Sequence, residues 1–297
     1  MHSSQKKSPK KSGFVVLAGR SNVGKSTLLN ALVGSKVAIM TPKPQTTRHP
    51  VRGMLNDPRG QIVFVDTPGV FLGKKDAVSK RLNEFVKEQL EGIEAIVYVT
   101  DPTRALGPEE TMIQDLLKQT TIPIILAVNK SDLPSLRKPS LDLMRGIDVG
   151  QKMTIECSAI KEKGLDVLKD ALFAILPEGE PYYPEYQLTD ADQKTWVSEL
   201  IREKIFLHLE EELPYAIAVV VEEDERQENG VRHIEATILS SEERYKGMII
   251  GSKGSMLKKI GSAVREELEL ASDQRVFLAL TVKVDPKWQV RFASRGN

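Results

Sequence analysis

The stretch Gly19-Arg20-Ser21-Asn22-Val23-Gly24-Lys25-Ser26 decides how this chain is read. It has the form Gly-x-x-x-x-Gly-Lys-Ser. Before it, Phe14, Val15, Val16 and Leu17 make a continuous apolar run that predicts a buried strand. After it, Leu28, Leu29, Leu32 and Val33 recur at helical spacing. Strand, glycine loop and helix are the setting a phosphate-binding loop requires. Glycines let the backbone curl so that several N–H groups face one anion, and the following helix adds its positive end. Residues Gly19 to Ser26, with Thr27, are therefore the expected phosphate cradle. Lys25 is expected to reach the outer phosphates, and the Ser26 hydroxyl to hold Mg2+.

Working outward, the first part of the chain alternates apolar strands with helical patterns. Strands are expected at 62–65, 95–100, 122–128 and 153–157, and helices at 79–91, 109–118 and 165–176. Such alternation predicts an α/β fold with a mainly parallel sheet. Composition changes at Pro177. Residues 178–190 read as a stiff, proline-containing linker. Beyond them a long helix is expected over 191–212, then strands at 215–223 and 231–239, a short helix, a glycine loop, a helix at 255–270 and a strand at 275–284. That is a smaller α+β domain. The expected division is a basic, disordered tail (1–12), a first domain (13–177), the linker and a second domain (191–297).

Composition narrows the classes. Hydrophobic residues make up 40% of the 297 and charged residues 28%, which fits a globular chain rather than a disordered one. No apolar run reaches the roughly 18 residues a membrane span needs. A single cysteine, Cys157, excludes a disulfide framework and suits a reducing cytoplasm. Cys157 itself reads as a small buried apolar residue rather than a reactive thiol. The net charge of +1 predicts no broad electrostatic attraction to nucleic acid, so any such partner needs a local site.

Three further clusters follow the phosphate loop, each at the end of an apolar strand. Asp66-Thr67-Pro68-Gly69 could place an acid on a magnesium-bound water and the Gly69 N–H on a γ-phosphate. On its own it would be read as a turn. In Asn129-Lys130-Ser131-Asp132, the Asp132 carboxylate can accept from guanine N1–H and N2–H₂, a donor pair adenine lacks. Asn129 would tie this loop to neighbouring backbone, and the Lys130 stem would cover the base. Ser158-Ala159 would offer the Ala159 N–H to guanine O6. The strand ends of an open α/β sheet line its ligand crevice, so the joint order specifies a GTP-binding enzyme of the translation-factor-related class. Gln45-Thr46-Thr47-Arg48 lies where a first switch would lie, and Thr47, preferred over Thr46, would complete the magnesium shell. Val70 occupies the place where Ras-like enzymes carry a water-orienting glutamine, so hydrolysis needs another device. The residues expected to act in catalysis are Lys25, Asn22, Thr47 and Gly69.

In the second domain, Ile250-Gly251-Ser252-Lys253-Gly254 is a Gly-x-x-Gly loop between two helical pieces. Its glycines leave room for a nucleic-acid backbone, and Lys253, Lys258 and Lys259 supply charge. Leu257, Ile260, Val264 and Leu268 form the buried face of the following helix. With the order helix, strand, strand, helix, loop, helix, strand, this matches a type II KH domain.

A GTPase joined to such a domain resembles the Era family. The resemblance rests on Gly-Arg-Ser-Asn-Val-Gly-Lys-Ser, Gln-Thr-Thr-Arg-His, Asp-Thr-Pro-Gly-Val, Asn-Lys-Ser-Asp and Ile-Ile-Gly-Ser-Lys-Gly, and covers nearly the whole chain after the tail. Ser21 departs from the proline frequent in the family's phosphate loop. The resemblance implies a monomeric ribosome-assembly GTPase in which GTP favours binding of single-stranded RNA near the 3′ end of small-subunit ribosomal RNA. Hydrolysis then permits release from the maturing 30S particle. It also implies peripheral contact with the inner membrane. In related GTPases an asparagine placed as Asn22 is can hold K+ against the phosphates. Asn22 is thus either a potassium ligand or a residue that shapes the loop. Two rivals remain from the residues alone: an ATP-dependent phosphotransferase, and a membrane-associated regulatory GTPase whose second domain binds protein.

Overall fold

The computed structural model describes residues 9–41, 50–67, 92–134, 138–209 and 216–289. The chain divides into two compact units at Asp190/Ala191. In the first, β1 (Lys11–Ala18), β2 (Val51–Asp57), β3 (Gly60–Asp66), β4 (Ile93–Thr100), β5 (Ile124–Val128) and β6 (Met153–Glu156) form one sheet in the order β2-β3-β1-β4-β5-β6. All pairings are parallel except β2 with β3. β3 and β5 are buried along their whole length, as expected of parallel strands covered on both faces. Helices α1 (Lys25–Val33), α2 (Pro108–Leu117), α3 (Leu141–Arg145) and α4 (Leu165–Ile175) complete the described part of the unit. α4 buries Leu165, Leu168, Leu172 and Phe173, a stripe at helical spacing against the core of β1, β4 and β6.

β2 and α3 carry no signal in the sequence. Val51-Arg52-Gly53-Met54-Leu55-Asn56-Asp57 neither alternates nor runs apolar, and it becomes a strand by pairing with the buried β3. Gly53 permits that pairing to sit beneath α1: a Cβ there would lie 2.7 Å from Leu29 Cδ1. The segment 178–190, expected as a linker, groups with the first unit, and its residues 185–190 run along β2. Met54 N donates to Leu188 O (2.9 Å), Asn56 Nδ2 to Glu185 O (2.7 Å), and Gly53 and Thr189 form an antiparallel bridge. The expected helix at 79–91 lies outside the described residues.

The second unit holds α5 (Gln193–His208), β7 (Ile217–Arg226), β8 (Arg232–Ser240), α6 (Glu243–Ile250), a single 3₁₀ turn (Ser252–Gly254), α7 (Ser255–Ser272) and β9 (Val276–Val284). Its sheet runs β7-β8-β9, antiparallel then parallel. Ile201, Ile205, Ile234, Ile238, Ile249, Ile260, Val264 and Leu268 form the core. α5 starts at an Asp192 cap, whose carboxylate accepts from Thr195 N at 2.7 Å. It ends at His208 rather than 212, because Leu209 turns to extended backbone (φ −116°, ψ 143°) while staying buried in the same core. β7 runs three residues past its expected end. Arg232 meets Asp224 with two hydrogen bonds of 2.6 Å, which carries the charged segment on as strand. Among the described residues, no helix is long and apolar enough to cross a membrane.

Candidate functional site

The ends of β1, β3, β4, β5 and β6 bring the predicted clusters of the first unit together. Between β1 and α1 the loop requires its glycines. Gly19 (φ +151°) would put a Cβ 2.4 Å from Val99 O, and Gly24 (φ +99°) one 2.4 Å from Asn129 Nδ2. Asn22 also takes a left-handed conformation (φ +65°), tolerable for asparagine. The Lys25 ammonium donates to Gly19 O (3.0 Å) and Arg20 O (2.9 Å). Burial lowers its pKa below the ordinary lysine value, against the opposing pull of Asp66 and Glu109. Such a group gains most from an anion that restores its lost solvation.

Ser26 Oγ donates to Asp66 Oδ2 at 2.5 Å, so two of the predicted magnesium ligands are in contact. A hydroxyl and a carboxylate are the hard oxygen donors Mg2+ takes, and the donor set fits that ion. Thr67 Oγ1 donates to Leu17 O (3.0 Å), fixing the end of β3 to β1. Thr47, Pro68, Gly69 and Val70 lie outside the described residues.

Asn129 is the junction of the site. Its Nδ2 donates to Val23 O in the phosphate loop and its Oδ1 accepts from Ala159 N, both at 3.0 Å. The Ala159 N–H, expected to face guanine O6, is therefore directed at Asn129. Ser158 contributes a side chain: its Oγ donates to Asp132 Oδ1 at 2.6 Å and aims that exposed carboxylate. Cys157 lies buried beneath this junction, and burial pushes its thiol up to about 12, as suits an inert residue. The Arg20 backbone belongs to the loop, but its side chain turns into the protein and pairs with Glu110 of α2 (Nε–Oε1 2.6 Å). Sequence reasoning missed Glu110. It also missed Asp101, at the end of β4, whose Oδ2 receives the Lys130 ammonium at 2.6 Å. The signals were present: Glu110 falls on the buried face with Ile113 and Leu117, and Asp101 follows a buried strand like the other site residues.

In the second unit the Gly-x-x-Gly loop is built on three left-handed residues: Gly251 (φ +71°), Lys253 (φ +50°) and Gly254 (φ +78°). At Gly251 a Cβ would also meet Met256 Cβ at 2.8 Å. Ser252, Lys253, Lys258 and Lys259 are exposed beside it, Ile250 is half-buried, and Ile260, Val264 and Leu268 face inward.

Residues 14–130 match the family described as 50S ribosome-binding GTPase, and residues 212–289 match the KH domain family. The chain is 43% identical over 281 residues to GTPase Era of Caldanaerobacter subterraneus subsp. tengcongensis, covering 94% of both chains. The chain belongs to the Era family of GTPases. Era of Halothermothrix orenii is 41% identical over 284 residues, covering 94% of this chain and 95% of its own. Two solved Era structures are each 38% identical and cover 95% of this chain and 96% of theirs. One is a tyrosine-to-alanine variant of Aquifex aeolicus Era bound to GDP·AlF4− (TM-score 0.85). The other is Era in complex with MgGDPNP and nucleotides 1506–1542 of 16S ribosomal RNA (TM-score 0.86). The Era pattern thus spans both units: a GTPase with a mainly parallel sheet, followed by a KH domain.

Proposed function

We propose that this Era-family GTPase uses bound GTP to control its hold on small-subunit ribosomal RNA during 30S maturation. The observation that carries this reading is its likeness, along both units, to an Era that holds MgGDPNP and 16S ribosomal RNA together. Residues 19–27, with Lys25 on the phosphates, form the nucleotide cradle. Ser26, Asp66 and Thr47 would hold Mg2+, which would supply positive charge against the phosphates. Asp132, aimed by Ser158, accepts from guanine. Asn22 would hold K+ beside the phosphates, where the ion would supply positive charge as an arginine finger does, since Val70 cannot orient the attacking water. Ile250 to Gly254, with Lys258 and Lys259, take the RNA backbone. On this reading the protein works as a cytoplasmic monomer and touches the inner face of the membrane only peripherally.

The test is RNA binding by the full chain to a 16S 3′-end oligonucleotide, with GDPNP and with GDP. Tighter binding with GDPNP is expected; equal affinities would overturn the coupling. Replacing Gly251 and Gly254 with aspartate should abolish RNA binding and spare GTP hydrolysis. Hydrolysis should be faster in K+ than in Na+ at matched ionic strength, and equal rates would remove the potassium role from Asn22.

A further inference from the structure

A buried carboxylate far from both in sequence holds the lysine that bridges the guanine-recognition loop and the phosphate loop. Asp101 directly follows β4, and its side chain is 0% exposed. Its Oδ1 accepts from Thr103 N at 2.9 Å and from Thr103 Oγ1 at 2.6 Å. Its Oδ2 takes the Lys130 ammonium at 2.6 Å. That ammonium also lies 3.4 Å from Asn22 O, in the phosphate loop. Lys130 holds a left-handed backbone conformation (φ +61°) between Asn129 and Asp132. One oxygen of Asp101 is thus fixed by its own turn, and the other fixes a lysine. Burial alone would push the Asp101 carboxyl up, but the bonds from Lys130 and Thr103 outweigh it and hold it below the ordinary aspartate value.

We infer that Asp101 is a positioning residue of the nucleotide site: through Lys130 it holds the wall against which guanine packs, and it locks that wall to Asn22 of the phosphate loop. The inference rests on the nucleotide site proposed above. A free lysine loses rotamer freedom when ordered against a ligand. A lysine already extended by a buried carboxylate has lost that freedom before the nucleotide arrives. Asp101 also neutralises Lys130, so that Lys25 remains the ammonium assigned to the phosphates.

The experiment is a double-mutant cycle on the full chain, reading GDP affinity by calorimetry and GTP turnover kinetics. Asp101→Asn is expected to weaken GDP binding about tenfold, on the order of a lost charge-assisted bond. KM for GTP should rise by a similar factor, and kcat should fall much less. In a Lys130→Met background the same change should have no further effect, since Asp101 acts through that lysine. Thr103→Val, which removes one bond to the carboxylate, should give a smaller loss that also disappears in the Lys130→Met background. It decides the matter if Asp101→Asn does not fold. Parental affinity in Asp101→Asn, or full additivity with Lys130→Met, would overturn the inference. Failure of the unaltered chain to bind GDP would instead overturn the nucleotide site itself.

Discussion

Replacing Glu110 with glutamine should destabilise the first unit by about 3–5 kcal/mol, the range for removing one partner of a buried ion pair. Arg20 and Glu110 meet at 2.6 Å, with side chains 10% and 4% exposed. Their gross attraction at that distance is about 6 kcal/mol with an effective dielectric near 20, much of it offset by the cost of burying both charges. Glu110→Gln removes the attraction and leaves the guanidinium buried. Glu110 Oε2 also accepts from Gly107 N at 3.0 Å, closing the start of α2. Glutamine can keep that bond only by turning its NH₂ toward Arg20. The Arg20 carbonyl is one of the two that hold Lys25, so a displaced Arg20 also disturbs the phosphate loop. The assay is urea unfolding followed by circular dichroism. Both tryptophans, Trp196 and Trp288, lie in the second unit, so their fluorescence provides an internal control whose midpoint should stay. Replacing both partners by apolar residues (Arg20→Met with Glu110→Leu) should recover most of the loss. A loss below about 1 kcal/mol, or a double variant no more stable than Glu110→Gln, would refute the reasoning.

Lys25→Met should abolish the stabilisation given by saturating GDP, about 4 kcal/mol at a thousandfold excess over Kd. Without nucleotide its melting temperature should stay close to the parent's, because the desolvation that disfavours the buried ammonium offsets its bonds to Gly19 O and Arg20 O; a clearly lower melting temperature counts against that account. Glu94 titrates above its ordinary value of 4.5, chiefly through burial, so its contribution to stability is present below that value and is lost as pH rises through the folded pKa. Glu94→Gln should therefore fall less in stability than the parent between about pH 4 and pH 7 in melting scans. Asn129→Ala leaves the buried Val23 O and Ala159 N without their partners, at a cost of about 1–3 kcal/mol each. Calorimetry should find GDP binding weakened by at least tenfold, and parental affinity would remove Asn129 from the junction.

What could be read from the sequence was chemistry tied to short spacing. The phosphate loop, Asn129 to Asp132 and Gly251 to Gly254 each carry their residue types within a few positions, and strands β1, β3, β4 and β5 announce themselves by apolar runs. β2 did not, because its strand state comes from pairing with β3 rather than from its own pattern. The end of α5 was misplaced because Leu209 continues the helical spacing of buried residues after the backbone has become extended. Glu110 and Asp101 were missed for another reason: each acts on a partner distant in sequence, and alone each looks like an ordinary helix-start or turn acid. The bond from the Ala159 N–H to Asn129 Oδ1 was not legible either, because it exists only once β5 and β6 lie side by side.

The strap formed by 184–190 has a practical consequence. β2 is the outermost strand of its sheet, and an unpaired strand edge is a template for other chains. Met54 N and the Asn56 side chain are occupied by the strap, and an Arg52–Asp190 ion pair (3.2 Å) holds its far end. A GTPase unit excised at Pro177 would leave that edge bare and should self-associate, whereas one cut after Asp190 should remain dispersed.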